Sequence, residues 1–279
     1  MKYGVNMFIW TADFGSSDLG LLPKVKQGGF DSFEVFISKP AKFPAAMLRQ
    51  AAEQNGLGLT VCTVLNQEIN IISDDAAVRR RGVAHLADCL KAVGDAGGTM
   101  LGGPVYAPIG YLPGRRRTAD EWNRAVEALQ ELGPVAAENG VLLCAEPLNR
   151  FETYFLNTAE DAARLCDEVN HPNVRMLFDT FHANIEEKDV AASLRAAGRH
   201  IAHIHTCEND RGTPGSGHVP WGEVFAAMRD IGYNGLLTIE SFGFALGEIS
   251  AAASIWRDLA PTPDDIAFDG IKFLRGQAG

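Results

Sequence analysis

Val141-Leu142-Leu143-Cys144-Ala145-Glu146-Pro147-Leu148-Asn149-Arg150-Phe151-Glu152 is the stretch from which the rest of the chain is read. Its first five residues form an apolar run with the length and composition of a fully buried strand. The run ends on a carboxylate. Charged side chains are almost never fully buried unless paired or bound to a metal, so a carboxylate at such an exit requires a cause. Pro147 has no backbone N–H and closes the strand. Three later segments repeat the arrangement. They are Val174 to Phe178 followed by Asp179 and His182, Ile201 to Ile204 followed by His205, and Gly235 to Ile239 followed by Glu240.

Working outward, strand-like and helix-like segments alternate along the whole chain. Strands are predicted over Tyr3 to Phe8, Phe30 to Ile37, Leu57 to Val64, Met100 to Val105, Val141 to Glu146, Val174 to Asp179, Ile201 to Thr206 and Leu236 to Ser241. Helices are predicted over Asp18 to Gln27, Ala45 to Asn55, Asp74 to Gly94, Thr118 to Glu138, Thr158 to Val169 and Val190 to Ala197, and from Trp221 onward. Ile249 to Leu259 reads as the last barrel helix, and Asp264 to Leu274 as an extra C-terminal helix. In the long third helix Val83, Leu86, Leu90 and Val93 recur at helical spacing. Alternating βα units imply a parallel sheet with right-handed crossovers. Eight such units over residues 1–279 fit a single-domain TIM (β/α)8 barrel, class α/β. A doubly wound open sheet is the alternative, but no Gly-rich dinucleotide fingerprint follows the first strand. The loops Asn66 to Ser73 and Gly103 to Arg117 are the longest strand-to-helix connections, on the face where barrel active sites form.

Bulk properties narrow the function. The 279 residues carry 25 basic and 35 acidic side chains, a net charge of −10 that suits solubility and disfavours nucleic acid. No apolar run is long enough to span a bilayer, and Met1-Lys2-Tyr3-Gly4 opens almost directly into a strand, without a signal-peptide core. The five cysteines are odd in number and form no CxxC pair; they read as free thiols of a cytoplasmic protein.

Side chains alternate between the interior and the helix-facing side of a barrel strand, so residues at successive strand exits converge over one mouth. Glu146, Asp179, His205 and Glu240 then offer three oxygen ligands and one imidazole. That set suits Mn²⁺, Mg²⁺ or Co²⁺ better than a thiolate-preferring metal. Without a cation, three clustered carboxylates repel and one takes up a proton.

The motifs Glu146-Pro-Leu-Asn-Arg-Phe-Glu152, Asp179-Thr-Phe-His182-Ala-Asn-Ile-Glu-Glu187, His203-Ile-His205 with Glu208-Asn-Asp-Arg211, Pro220-Trp-Gly-Glu223 and Ile239-Glu240 resemble the ketose 3-epimerases. These are D-tagatose and D-psicose (allulose) 3-epimerases among the xylose-isomerase-like sugar barrels. The resemblance implies one divalent metal, Mn²⁺ first among the candidates, on Glu146, Asp179, His205 and Glu240. It also implies substrate contacts from Glu152, His182 and Arg211, and a homodimer or homotetramer acting on a small free ketose with no nucleotide cofactor. Glu146 and Glu240 become the acid/base pair that inverts carbon 3 through a cis-enediolate. His182 or Arg211 adds electrostatic support at the developing oxyanion.

Other readings stand beside these. The same site serves another isomerase or a lyase acting on an inosose or a 3-keto-glycoside, or a sugar-phosphate epimerase. A metal-dependent nuclease on the same barrel wants more histidines and a basic face; a carbohydrate-binding barrel needs no carboxylate pair. Residue by residue, Asp179 also suits a helix cap, His205 a core histidine, and Glu146 and Glu240 partners of a rim cation. His203 sits one layer deeper than His205 and reads as a supporting donor. Glu34 reads equally as structural or as an orienting group. Arg175 closes the bottom of the barrel. Arg115-Arg116-Arg117 is a solvated face or helix start, or else a phosphate clamp. Cys207 stands where the family more often has a small residue.

Overall fold

Eight parallel strands pair in chain order, and the ring closes where the eighth returns to the first. They are β1 (Lys2–Asn6), β2 (Ser32–Phe36), β3 (Gly58–Cys62), β4 (Met100–Gly103), β5 (Leu142–Ala145), β6 (Val174–Asp179), β7 (Ile201–His205) and β8 (Leu236–Ile239). The coordinates are a computed structural model that describes residues 1–243 and 246–278. The helices are α1 (Leu21–Gln27), α2 (Ala45–Asn55), α3 (Ala76–Asp95), α4 (Ala119–Glu138), α5 (Ala159–Val169), α6 (Thr180–Glu186), α7 (Val190–Ala197), α8 (Trp221–Asp230), α9 (Glu248–Ala252) and α10 (Pro263–Gln277). None of the described helices is long and apolar enough to cross a membrane.

The predicted barrel is therefore the observed one, and the departures have local causes. A helix starting at Asp18 would carry Pro23 beyond its first turn, where the ring meets the carbonyl four residues back. The chain instead makes a 3-10 turn at Ser16–Asp18 and starts α1 at Leu21, which leaves Pro23 in the first turn. The helix expected over Ile249 to Leu259 is only the five-residue α9, and none of its residues is buried. Ser254 is left-handed at φ 55°, and Trp256 is largely exposed. The segment never presents an apolar stripe to the strands, because Ile249, Ala252 and Ala253 face the cavity described below. The C-terminal helix α10 buries Ile266, Ala267, Gly270, Ile271 and Leu274 and packs on β8 and α8. A helix not foreseen, α6, follows β6 at once.

Register sets the level of each interior side chain. Asn6 pairs with Glu34, and Glu34 with Thr60, which places three polar groups in one layer. Asp179 pairs with His205. Below them Met100, Cys144 and Leu177 form a small apolar plug, separate from the main core between strands and helices. Leu177 shares a strand face with Asp179 by the two-residue period. Gly102 leaves room for this plug, since a Cβ there would lie 2.9 Å from both Leu177 Cδ1 and Met100 Sδ. Arg175, one step further down the same face, lies toward the end of the barrel opposite the mouth, as expected.

Candidate active site

The four residues proposed from the strand exits meet at one point. One ligand atom each from Glu146, Asp179, His205 and Glu240 lies within 4.8 Å of the others. His205 Nδ1 is 3.6 Å from Glu146 Oε1, 3.8 Å from Asp179 Oδ2 and 3.4 Å from Glu240 Oε2. All four side chains are buried.

Each is held by its own element. Asp179 ends β6 and caps α6: Phe181 N donates to its Oδ1 at 2.7 Å, which leaves Oδ2 facing the cluster. The cap reading of Asp179 holds, and it leaves the second oxygen available to a ligand role. His205 Nε2 lies 2.8 Å from Glu34 Oε1. Glu34 is completely buried and accepts from Asn6 Nδ2 at 2.9 Å and Thr60 Oγ1 at 2.8 Å. Its position favours the orienting role over the purely structural one. His203 Nε2 is 3.2 Å from Glu34 Oε2 but off the line a hydrogen bond needs. Burial pushes the Glu34 carboxyl up, but His205 and His203 outweigh it and hold it well below the usual range.

Arg211 links the cluster to the loop after β7. Its Nη1 donates to Asp179 Oδ2 at 2.7 Å and to Glu240 Oε2 at 2.8 Å, and lies 3.0 Å from Cys207 Sγ. Its guanidinium stacks 4.0 Å above the Phe181 ring. His182 is buried, with Nε2 3.9 Å from both Glu146 Oε1 and Asp179 Oδ2. The backbone N–H of Asn149 donates to His182 Nδ1 at 3.1 Å, and Arg211 Nη2, a donor only, lies 3.1 Å from its Nε2. Burial, reinforced by Arg211 and His205 and opposed by Asp179, lowers the His182 pKa to about 3. Glu152 accepts from Asn149 Nδ2 at 2.7 Å, and burial raises its carboxyl above the ordinary value.

Glu146, Glu152, His182, Arg211 and Glu240 line one cavity of about 180 Å³. Its apolar wall is aromatic: Phe8, Phe36 and Phe242 line it, with Phe8 5.3 Å from Phe36 and 5.5 Å from Phe242 between ring centroids. Thr63 just after β3, Gly103 at the end of β4 and Ile109 from the loop that follows β4 also line it.

The comparisons bear on this geometry. The family model for the xylose isomerase-like TIM barrel matches residues 22–277. A probable ketose 3-epimerase of Synechocystis sp. is 37% identical over 99% of this chain and 96% of its own. The chain belongs to the ketose 3-epimerases. A D-psicose 3-epimerase of Ruminiclostridium cellulolyticum is 35% identical over 96% of this chain and 93% of its own. A crystal structure of D-psicose 3-epimerase with D-tagatose from Clostridium cellulolyticum H10 superposes with a TM-score of 0.91, at 32% identity, over 100% of this chain and 99% of that one. The protein is an isomerase, an epimerase of ketoses.

The donor set of this ketose 3-epimerase fits a hard divalent cation. Glu146 Oε1 and His205 Nδ1 are both buried, point into the cluster and have no hydrogen-bond partner. Burial, with Glu240 and Asp179 adding to it and His205 opposing, pushes the Glu146 carboxyl up to about 8. Desolvation disfavours charge on His205, yet Glu240 and Glu34 raise its pKa well above the ordinary value. A cation on these ligands would compete with protons for Glu146 and His205.

All seven proposed site residues come together. Arg115 and Arg117 do not join them. Arg115 makes a two-pronged contact with Glu121, at 2.8 and 3.0 Å. Arg117 pairs with Asp161 at 2.8 Å and lies 4.5 Å from the Trp122 ring centroid. Cys207 is completely buried, its Sγ 3.5 Å from Asp179 Oδ2; burial and the Asp179 charge push the thiol well up, unlike an activated nucleophile. Sequence reasoning missed Asn149, which bridges Glu152 and His182, and the partners Asn6 and Thr60 of Glu34, which it had weighed as an orienting group. Asn6 at the exit of β1 repeats the polar-exit pattern and was the available signal.

Proposed function

We propose that this protein is a metal-dependent epimerase that inverts carbon 3 of a free ketose of the tagatose, fructose or psicose type. The supporting observation is the convergence of Glu146, Asp179, His205 and Glu240 within 4.8 Å, with two buried ligand atoms lacking any other partner. Glu146, Asp179, His205 and Glu240 would hold the cation; Mn²⁺ is the first candidate, and Mg²⁺ or Co²⁺ suits the same donors. A divalent cation there supplies Lewis-acid stabilisation of negative charge, worth several kcal/mol.

The chain's own groups do the rest. One of the pair Glu146 and Glu240 removes the proton from carbon 3, and the electron pair delocalises onto the neighbouring carbonyl to give a cis-enediolate. The other, protonated, returns a proton to the opposite face of carbon 3; the reverse reaction exchanges their roles. Arg211, with its fixed positive charge and its Nη2 3.1 Å from His182 Nε2, adds electrostatic support at the developing oxyanion. Glu152, held by Asn149, receives a hydroxyl at the same end of the sugar. The aromatic wall excludes water from the other end. Arg115 and Arg117 are engaged by Glu121 and Asp161, which disfavours a phosphate clamp built from Arg115, Arg116 and Arg117 together and supports an unphosphorylated substrate.

Incubation with Mn²⁺ and D-fructose, D-tagatose or D-psicose in deuterated water tests this reading. Deuterium is expected at carbon 3 of both epimers. Its absence from carbon 3 with every ketose would sink the proposal.

A further inference from the structure

The loop between β7 and α8 carries Arg211 into the site in an uncommon conformation, with φ 67°. Residues with a Cβ rarely adopt that region, so something must hold the loop there. Glu208 is three residues away and completely buried, with no cation among its partners in the described residues. Its carboxylate accepts four N–H donors. Asn209 N and Val219 N reach Oε1 at 3.1 and 3.0 Å; Gly215 N and the Trp221 indole reach Oε2 at 2.7 and 2.9 Å. A buried carboxylate satisfied only by N–H groups ties together every segment that supplies one. Here those segments are both ends of the loop, its middle and the first residue of α8. The backbone of Arg211 is fixed to the same residue, through Arg211 N to Glu208 O at 3.0 Å, and on its other side Ser241 Oγ donates to Arg211 O. Gly217 is required where it stands, because a Cβ there would come within 2.7 Å of Glu208 Oε1.

We infer that Glu208 is a positioning residue for catalysis: its carboxylate closes the β7–α8 loop so that Arg211 reaches the cavity. Glu208 does not line the cavity, so its effect on turnover passes through Arg211. This inference rests on the reading of Arg211 as a substrate contact, and the experiment separates the two.

Steady-state kinetics are measured on the metal-loaded enzyme for the wild type, Glu208→Gln, Arg211→Ala and the double variant. Glutamine turns an NH₂ group toward N–H donors, so Glu208→Gln is expected to raise KM about tenfold with a smaller change in kcat. Adding it to Arg211→Ala is expected to change KM no further, since the group it positions is gone. A KM increase or a fall in kcat that persists in the Arg211→Ala background would overturn the positioning role. Arg211→Ala with KM and kcat both unaltered would instead overturn the substrate-contact reading. Trp221→Phe removes one donor and keeps the carboxylate. It provides the same cycle if Glu208→Gln does not fold, with a smaller KM increase that again vanishes without Arg211.

Discussion

Glu34 accepts the Nε2 side of His205 at 2.8 Å and thereby turns Nδ1 toward Glu146, Asp179 and Glu240. The carboxylate is itself fixed by Asn6 and Thr60 from the strands on either side. A ligating imidazole keeps its tautomer and ring orientation through the partner of its other nitrogen. Glu34→Gln is expected to weaken Mn²⁺ binding by about 10- to 100-fold, read by calorimetric titration of metal-stripped protein. Unchanged affinity would show that the ring is oriented by packing alone.

The two acid/base candidates differ in kind from Glu152. At saturating metal, Glu146→Gln and Glu240→Gln should each lower kcat by about 10²- to 10⁴-fold, because a carboxamide cannot carry the proton. Glu152→Gln keeps a hydrogen-bonding group and should act mainly on KM. Equal kcat losses at all three positions would contradict the assignment of the pair.

Arg115 and Arg117 are engaged with Glu121 and with Asp161 and Trp122. Replacing either with alanine should leave kcat/KM for a free ketose unchanged. A ketose phosphate should be a poorer substrate than the free sugar for both wild type and variants. A preference for the phosphate that disappears in Arg115→Ala or Arg117→Ala would revive the clamp.

Glu121 gives a pH prediction away from the site. Burial raises its carboxyl, but Arg115, the Thr118 backbone N–H and the Tyr154 hydroxyl outweigh it and lower the pKa from 4.5 to about 2. A carboxylate with a depressed folded-state pKa stabilises the fold above its unfolded value, and that contribution is lost as pH falls through the folded value. The Tm difference between wild type and Glu121→Gln should therefore be full above pH 4.5 and shrink toward pH 2. A difference independent of pH would mean that the contacts act without the charge.

Much of this was legible in the order of residues. Glu146, Asp179, His205 and Glu240 could be aligned because each ends an apolar strand, and a strand exit in a parallel barrel has one destination. Glu34 shows where that reading stops: its strand marks it as interior, but its partners Asn6 and Thr60 are neighbours only through the pairing of three strands. Asn149 joins Glu152 to His182 only because β5 and β6 are adjacent and their exits fold over the same mouth.

The sequence by itself determined the barrel, the strand exits and the chemical character of the candidate metal-ligand set. Those depend on period, polarity and chain order, which are local or repeat along the chain. Only the tertiary structure decided which oxygen of Asp179 caps a helix and which faces the cluster. It also decided that Arg115 and Arg117 are already paired, that α10 packs on β8 where Ile249 to Leu259 was expected to, and that Glu208 gathers four N–H groups behind Arg211. Each of these is a contact between residues brought together by barrel closure and loop packing, and its energy depends on distances that no spacing along the chain specifies.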